Sequence, residues 1–233
     1  MEPKTQSTRT WMLPRLALGL VQTAVFLAAW FGLAGRWDWW RGWAFFGFFI
    51  VVTSLLFGWL SINDPDLLKE RNQPGENVEP WDRALMAVYI LLMLALLAIA
   101  ALDNGRFGWS QVSPGLTALG WSLIAITSAI VWHVMSVNRY LSGYARLQPD
   151  RGQVVVSRGL YGLIRHPMYL GIILGVPGLP LMLGSLWALI PALLVSALEV
   201  YRTAREDRML QEGLPGYRAY CQKVRWRLLP GIW

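Results

Sequence analysis

The chain has one cysteine and two histidines in 233 residues. Cys221 has no partner for an internal disulfide and no companion for a paired-cysteine redox motif, and His133 and His166 lack further ligands at metal spacing, so the sequence predicts no metal site. Charge is scarce too. Asp, Glu, Lys and Arg make up 15% against 55% hydrophobic residues, and the mean hydropathy is +0.39, a balance that belongs to membrane proteins. No small-residue cleavage site follows the first apolar run, which therefore reads as an uncleaved span rather than a signal peptide. An internal repeat and a matched pair of broken helices are both missing, which removes the signature of an inverted-repeat transporter. Apart from Arg15 at the start of the first, the four long apolar runs lack charged residues, and that argues against a channel or pump.

What is present is apolar sequence in membrane-sized lengths. Runs of roughly 20 residues lie at Leu13–Leu33, Trp43–Ile62, Ala84–Leu102 and Leu116–Val137. A fifth stretch, Tyr169–Tyr201, is too long for one helix and is broken by Gly175, Pro177, Gly178, Pro180 and Gly184. It predicts two shorter antiparallel helices that enter and return to the same side. The fold expected is all-α, a polytopic membrane bundle of four spans with a carboxyl-terminal two-helix hairpin and a cytosolic tail. Residues 1–137 read as transmembrane scaffold and 138–233 as the region that does chemistry. Trp37, Trp39, Trp40, Trp43 and Trp109 fall at span ends, where indole rings anchor at the interface. The loop Asn63–Asp82, with Pro65, Pro74 and Pro80 and balanced charge, including Glu76, reads as a solvated surface loop.

The net charge of +7 is distributed by topology rather than gathered into a nucleic-acid patch. Lys4, Arg9 and Arg15, then Lys69, Arg71 and Arg83, then the segment 139–165 and the tail carry most of it, whereas the first and third loops hold only Arg36, Arg41 and Arg106. This asymmetry places both termini in the cytoplasm, at the inner membrane if the source is bacterial. The partners expected are membrane lipids and a lipophilic substrate; oligomeric state is not encoded in any visible pattern.

Chemistry concentrates after the fourth run. Asn138-Arg139-Tyr140, Asp150-Arg151-Gly152-Gln153, the β-branched Val154-Val155-Val156 and Ser157-Arg158-Gly159-Leu160-Tyr161 lead into Arg165-His166-Pro167-Met168-Tyr169. Pro167 favours a helix start, whose first-turn amides near Met168 and Tyr169 are free to meet an anion. The final helix is predicted over Trp187–Glu212, stopped by Gly213 with Pro215 beyond. Glu199, Arg202, Glu206 and Leu210 share one face of it, either as helix-end salt bridges or as one wall of a site. His133 inside the fourth run is either a structural histidine bonded to a neighbouring helix or part of an acceptor tunnel.

In order and spacing these elements resemble the isoprenylcysteine carboxyl methyltransferase and phospholipid methyltransferase superfamily of integral membrane enzymes. The resemblance covers roughly Asn138 to Leu229. It rests on Gln153-Val154-Val155-Val156-Ser157-x-Gly159-x-Tyr161, Arg165-His166-Pro167-Met168-Tyr169-x-Gly171, Arg202-x-x-x-Glu206-Asp207-x-x-Leu210, Tyr217-x-x-Tyr220 and Arg227-Leu228-Leu229-Pro230. Gln153 stands where a histidine is frequent, and Asp207 where a second glutamate is usual.

The resemblance implies an S-adenosylmethionine-dependent methyltransferase without a Rossmann domain. By it, Gln153, Val154, Val155, Val156, Tyr161, His166, Pro167, Met168 and Tyr169 line the cofactor pocket, Glu206 meets the cofactor's cationic side, and Arg202 faces the acceptor. Arg165 and the helix start supply donors for the cofactor's carboxylate. Arg202 and Glu206, one turn apart, are expected to touch and to carry catalysis between them, with Arg202 gripping a carboxylate or phosphate acceptor by its planar fork. The acceptor remains open among a prenylcysteine-like carboxylate, a phospholipid amine and a small thiol or other lipophile. Two other function classes stand beside this one: a membrane reductase using a nicotinamide cofactor on a lipid, and a non-catalytic membrane scaffold.

Overall fold

The computed structural model describes residues 7–72 and 77–233, and among them there is helix and no strand. Lys4 of the basic amino terminus and Pro74 and Glu76 of the second loop lie outside the described residues. The helices are α1 (Ser7–Ala34), α2 (Trp40–Asn63), α3 (Pro65–Asn72), α4 (Pro80–Ala100), α5 (Pro114–Val137), α6 (Pro167–Gly175), α7 (Gly178–Leu183), α8 (Leu189–Gly213) and α9 (Tyr217–Lys223). Proline opens α4, α5 and α6 at a position where its missing N–H costs nothing. At α5 the Ser113 hydroxyl also accepts from the Leu116 amide at 3.3 Å. α4 runs on into a wider π-helical turn, Ala101–Phe107, that ends at the left-handed Gly108.

Among the described residues three helices are long and apolar enough to cross a membrane: Trp40–Asn63, Pro80–Phe107 and Pro114–Val137. The predicted runs Trp43–Ile62, Ala84–Leu102 and Leu116–Val137 fall inside them, and Leu13–Leu33 falls inside α1. On α2 the large apolar side chains Phe49, Ile50, Val51 and Leu55 point outward, as they do when the solvent is lipid. The chain is a polytopic helical membrane protein.

The broken fifth run forms the predicted hairpin, and it reaches farther than a shallow loop. α6 and α7 descend against α5, and α8 returns beside α6 and α4. The turn between them sits at the far end of the bundle, where the Ser185 hydroxyl donates to buried Asp103 at 2.6 Å and Asp103 also accepts from the amide and hydroxyl of Ser110. Arg41 at the head of α2 closes the same end by donating to the Met182 carbonyl and the Thr117 hydroxyl. α5 approaches α7 closely because Gly120 has no side chain; a Cβ there would lie 2.6 Å from the Met182 amide nitrogen. α8 begins at Leu189, two residues later than predicted, and ends at Gly213 as predicted.

Two expectations need correction. Trp39 is not an interface anchor: it is 3% exposed, packs among Trp30 and Phe31, and donates from Nε1 to Asn104 at 2.9 Å. Trp37, Trp40, Trp43 and Trp109 are exposed, as anchors would be. The segment 63–82 is not merely a solvated loop either. It contains α3, and its acidic residues Glu70 and Asp82 are buried because each meets an arginine from the far side of the chain.

Candidate active site

The charged side chains of the second half and their partners gather at the near end of the bundle, where α5 ends, α4 and α6 begin, and α8 leaves its apolar run. They enclose a cavity of about 260 Å³. One side is the extended Gln153–Val156 segment with Tyr161; another is the start of α6 with Arg165, His166, Met168 and Tyr169; a third is the α8 stripe Glu199, Arg202, Glu206 and Leu210. The structure thus brings together every site residue singled out from sequence except Pro167, which is buried at the first position of α6 and opens the helix.

The polar tips of these residues are committed differently from what their types suggest. Arg165 forks onto Asp207 with Nε and Nη2 at 2.8 and 3.1 Å, and its Nη1 donates to the carbonyls of Val224 and Arg225. Its donors are therefore spent on the fold. Asp207 also accepts from Tyr217 at 3.1 Å, Gln211 at 2.7 Å and Arg227 at 2.9 Å, and His166 Nε2 lies 3.2 Å away. Burial pushes this carboxyl up, but His166, Arg227 and Arg165 outweigh it and hold Asp207 well below the usual carboxylate range. The backbone joins in, with the amides of Arg165 and His166 donating to the carbonyls of Trp226 and Arg227. Tyr220 donates to the Tyr161 carbonyl at 2.6 Å, and Asn138 donates to the Tyr161 hydroxyl at 2.8 Å. The motif residues of the tail are in this way the clamp that holds two cavity walls together.

Arg202 requires the clearest correction. Its planar fork, expected to grip an acceptor, is filled by Asp82 at the head of α4, with Nε and Nη2 at 2.6 and 2.9 Å from the two carboxylate oxygens. Nη2 also donates to the Gly143 carbonyl. Asp82 in turn accepts the Ala145 amide, so one buried carboxylate fastens α4, α8 and the segment after α5. Arg202 and Glu206 meet through Tyr169 rather than directly: the Arg202 guanidinium lies 5.2 Å from the centre of the Tyr169 ring, and the Tyr169 hydroxyl donates to Glu206.

Sequence reasoning missed three contributors. Glu70 binds Arg146 through both oxygens, at 2.8 and 2.9 Å, and fixes α3 against the cavity floor. Burial raises the Glu70 carboxyl, and Arg146 and Ser142 more than reverse it, so the group sits below its ordinary value. Arg71, next in sequence, lines the cavity, and among the described residues it has no hydrogen bond or ion pair. Burial and the neighbouring Arg202 charge lower its pKa, as befits a cation without a counter-charge. Asp82 is the third. The available signal was an acid in the first turn of an apolar run opened by a proline, where a helix favours negative charge.

His133 is placed as a structural group. Its Nε2 accepts the Leu160 amide at 3.2 Å, and Gly159 just before it adopts φ +59° with the imidazole against the space a side chain would fill. Gln153 uses its side-chain oxygen to accept the Gln148 amide at 2.8 Å and so closes the turn that presents Val154–Val156. Among the described residues no three His, Cys, Asp or Glu side chains gather as a metal-holding group.

Over 146 residues the chain is 30% identical to a cobalt-zinc-cadmium resistance protein of Cupriavidus metallidurans, covering 61% of this chain and 62% of that one. Over 96 residues it is 30% identical to a Delta(14)-sterol reductase of Mus musculus, covering 40% of this chain and 23% of that one. The chain spans less than two thirds of the length of either relative. The family model described as phospholipid methyltransferase matches residues 116–215, from the start of α5 through both limbs of the hairpin. Over those residues, which hold most of the cavity wall, the chain is similar to the phospholipid methyltransferase family.

Proposed function

We propose that the chain transfers the methyl group of S-adenosylmethionine to a lipophilic acceptor that enters the cavity from the bilayer. The observation that carries this reading is a single cavity with two kinds of wall. The Val154–Val156 segment, His166 and the Glu206–Tyr169 pair form a polar-edged pocket, and Met86, Tyr89 and Ile172 line the side toward the apolar bundle.

When bound, S-adenosylmethionine supplies an electrophilic methyl carbon on a sulfonium, flanked by an ammonium and a carboxylate. The chain's own residues fit those charges. Glu206 offers the carboxylate for the cationic side. The first-turn amides of α6 and the uncommitted guanidinium of Arg71 offer donors for the anionic side, a role that the Asp207 clamp denies to the Arg165 side chain. Gln153, Val154, Val155, Val156, Tyr161, Met168 and Tyr169 shape the remaining surface, with Pro167 fixing where α6 starts. An in-line displacement needs no covalent nucleophile, so these residues act by aligning the reactants and keeping water out. Arg202, anchored by Asp82, lies across the Tyr169 ring and orders the acceptor side. The polar end faces the cytosol, where the donor is soluble, and the first 137 residues act as membrane scaffold while lending Arg71, Asp82 and Tyr89 to the site.

A second reading is a membrane reductase using a nicotinamide cofactor on a lipid, favoured by the similarity to the sterol reductase. The two are separated by incubating membranes that contain the protein with methyl-labelled S-adenosylmethionine and sorting the label as base-labile ester, lipid amine or thioether. Label in a lipid-soluble product supports methyl transfer. Absence of such label, with NADPH-dependent loss of an enone lipid, supports the reductase.

A further inference from the structure

Glu199 is fully buried in α8 and lines the cavity, and neither of its carboxylate oxygens has a hydrogen-bond partner among the described residues. Buried carboxylates without partners are costly and rare. The nearest cation does not supply one. Arg202 Nη1 is 3.9 Å from Glu199 Oε1, beyond hydrogen-bond reach, and the other guanidinium nitrogens are held by Asp82 and Gly143. The remaining charged or titratable neighbours are Asp82 and Tyr89 from α4, Tyr169 from α6 and Glu206 on α8 itself; none donates to Glu199. The missing donor is therefore one that a ligand brings. Glu199 shares the cavity lining with Met86, Tyr89 and Ile172, and Tyr89 of α4 is among its electrostatic neighbours.

We propose that Glu199 binds the proton-bearing atom of the acceptor and takes its proton during transfer, so that the acceptor carries an N–H, S–H or O–H group rather than a carboxylate. The inference rests on the methyl-transfer reading above. An incoming carboxylate would face Glu199 with like charge in a dry site, whereas a primary amine can donate to both orphaned oxygens and a thiol or hydroxyl to one. In the step, the acceptor's lone pair forms the bond to the methyl carbon, the sulfur–methyl bond breaks with its electron pair left on sulfur, and the acceptor's proton passes to a Glu199 oxygen. The sulfonium charge and the carboxylate charge disappear together, so the dry cavity holds no new charge at the end.

The test uses the purified full chain with octylamine, octanethiol and octanoate as probes. Without any donor, octylamine should bind more tightly than octanoate, and Glu199→Gln should weaken octylamine by roughly tenfold or more while octanoate, relieved of the like charge, binds more tightly than before. With labelled S-adenosylmethionine, the amine or thiol should be methylated in preference to octanoate, and Glu199→Gln should lower turnover by about 100-fold or more with retained S-adenosylhomocysteine binding. Glu199→Asp, which keeps the charge and shortens the reach, should retain part of both. Wild-type preference for octanoate, or a Glu199→Gln protein that binds octylamine and turns over as wild type does, overturns the proposal. If no probe is methylated yet the Glu199-dependent amine preference persists, the methyl-transfer reading fails and the Glu199 subsite stands. Should Glu199→Gln not fold, the wild-type preference and the Asp variant decide.

Discussion

Asp82 and Arg202 are each buried; without Arg202 the Asp82 charge would be uncompensated, and without Asp82 the guanidinium would lose both hydrogen-bonded carboxylate contacts and keep only Glu199 at 3.9 Å. Removing one partner of such a pair costs about 3–5 kcal/mol, whereas replacing both with well-packed apolar residues is often neutral. Asp82→Ala should therefore lower the melting temperature in detergent sharply, and Asp82→Leu combined with Arg202→Met should recover most of the loss; additive losses would show that the pair is not coupled. Glu206 has a different part. Glu206→Gln should leave melting nearly unchanged and weaken S-adenosylmethionine binding by roughly 1.5–3 kcal/mol, the worth of one charge-assisted hydrogen bond. Acid tests the remaining clamps. Asp207 and Glu70 both sit below their ordinary values when folded, and carboxyls of unfolded chains titrate near about pH 4. The stability they contribute is complete above that range and is lost as pH falls through the folded-state values. Melting temperature should hold down to about pH 5 and fall steeply below about pH 4, and Asp207→Asn should start lower and fall less; a flat acid limb in the native protein would contradict the clamp.

The helical elements depend on two kinds of information. Starts and stops are local chemistry, so Pro80, Pro114, Pro167 and the Gly213–Pro215 stop are visible in the chain, and the hairpin follows from the glycines and prolines that interrupt residues 169–201. Partners are not local. Asp82 finds Arg202 across 120 positions, and which of several acids an arginine meets is decided by how helices are stacked rather than by spacing. For that reason the α8 stripe was legible as a face while the partner filling its arginine was not, and a charge-balanced loop concealed Glu70 and Arg71. Trp39 was misread on the same ground, since a tryptophan at a span end looks alike whether it faces headgroups or Asn104. Helix contact can be tested at Gly120. Gly120→Ala would set a Cβ 2.6 Å from the Met182 nitrogen and 2.7 Å from the Gly178 carbonyl, both backbone atoms that cannot swing aside. Overpacking of this kind costs about 1–3 kcal/mol. Gly47→Ala on α2, with nothing within 4 Å, should be neutral or slightly stabilising, and equal melting of the two variants would contradict the close α5–α7 approach.

As a whole, the molecule is an apolar bundle with chemistry at one end. The near end gathers α3, the heads of α4 and α6, the segment after α5 and the end of α8, while Asp103, Arg41 and Ser185 close the other end with hydrogen bonds. If the near end faces the cytosol, reporter fusions at Gln148 should read cytoplasmic and fusions at Asn104 exterior. An exterior signal at Gln148 would separate the cavity from a cytosolic donor. The most direct test of the account is ligand binding by the purified full chain, titrated in turn with S-adenosylmethionine and NADPH. The account predicts saturable S-adenosylmethionine binding that S-adenosylhomocysteine displaces, that NADPH leaves untouched, and that His166→Ala and Tyr169→Ala each weaken while the protein stays folded. Saturable binding of NADPH with none of S-adenosylmethionine would contradict it.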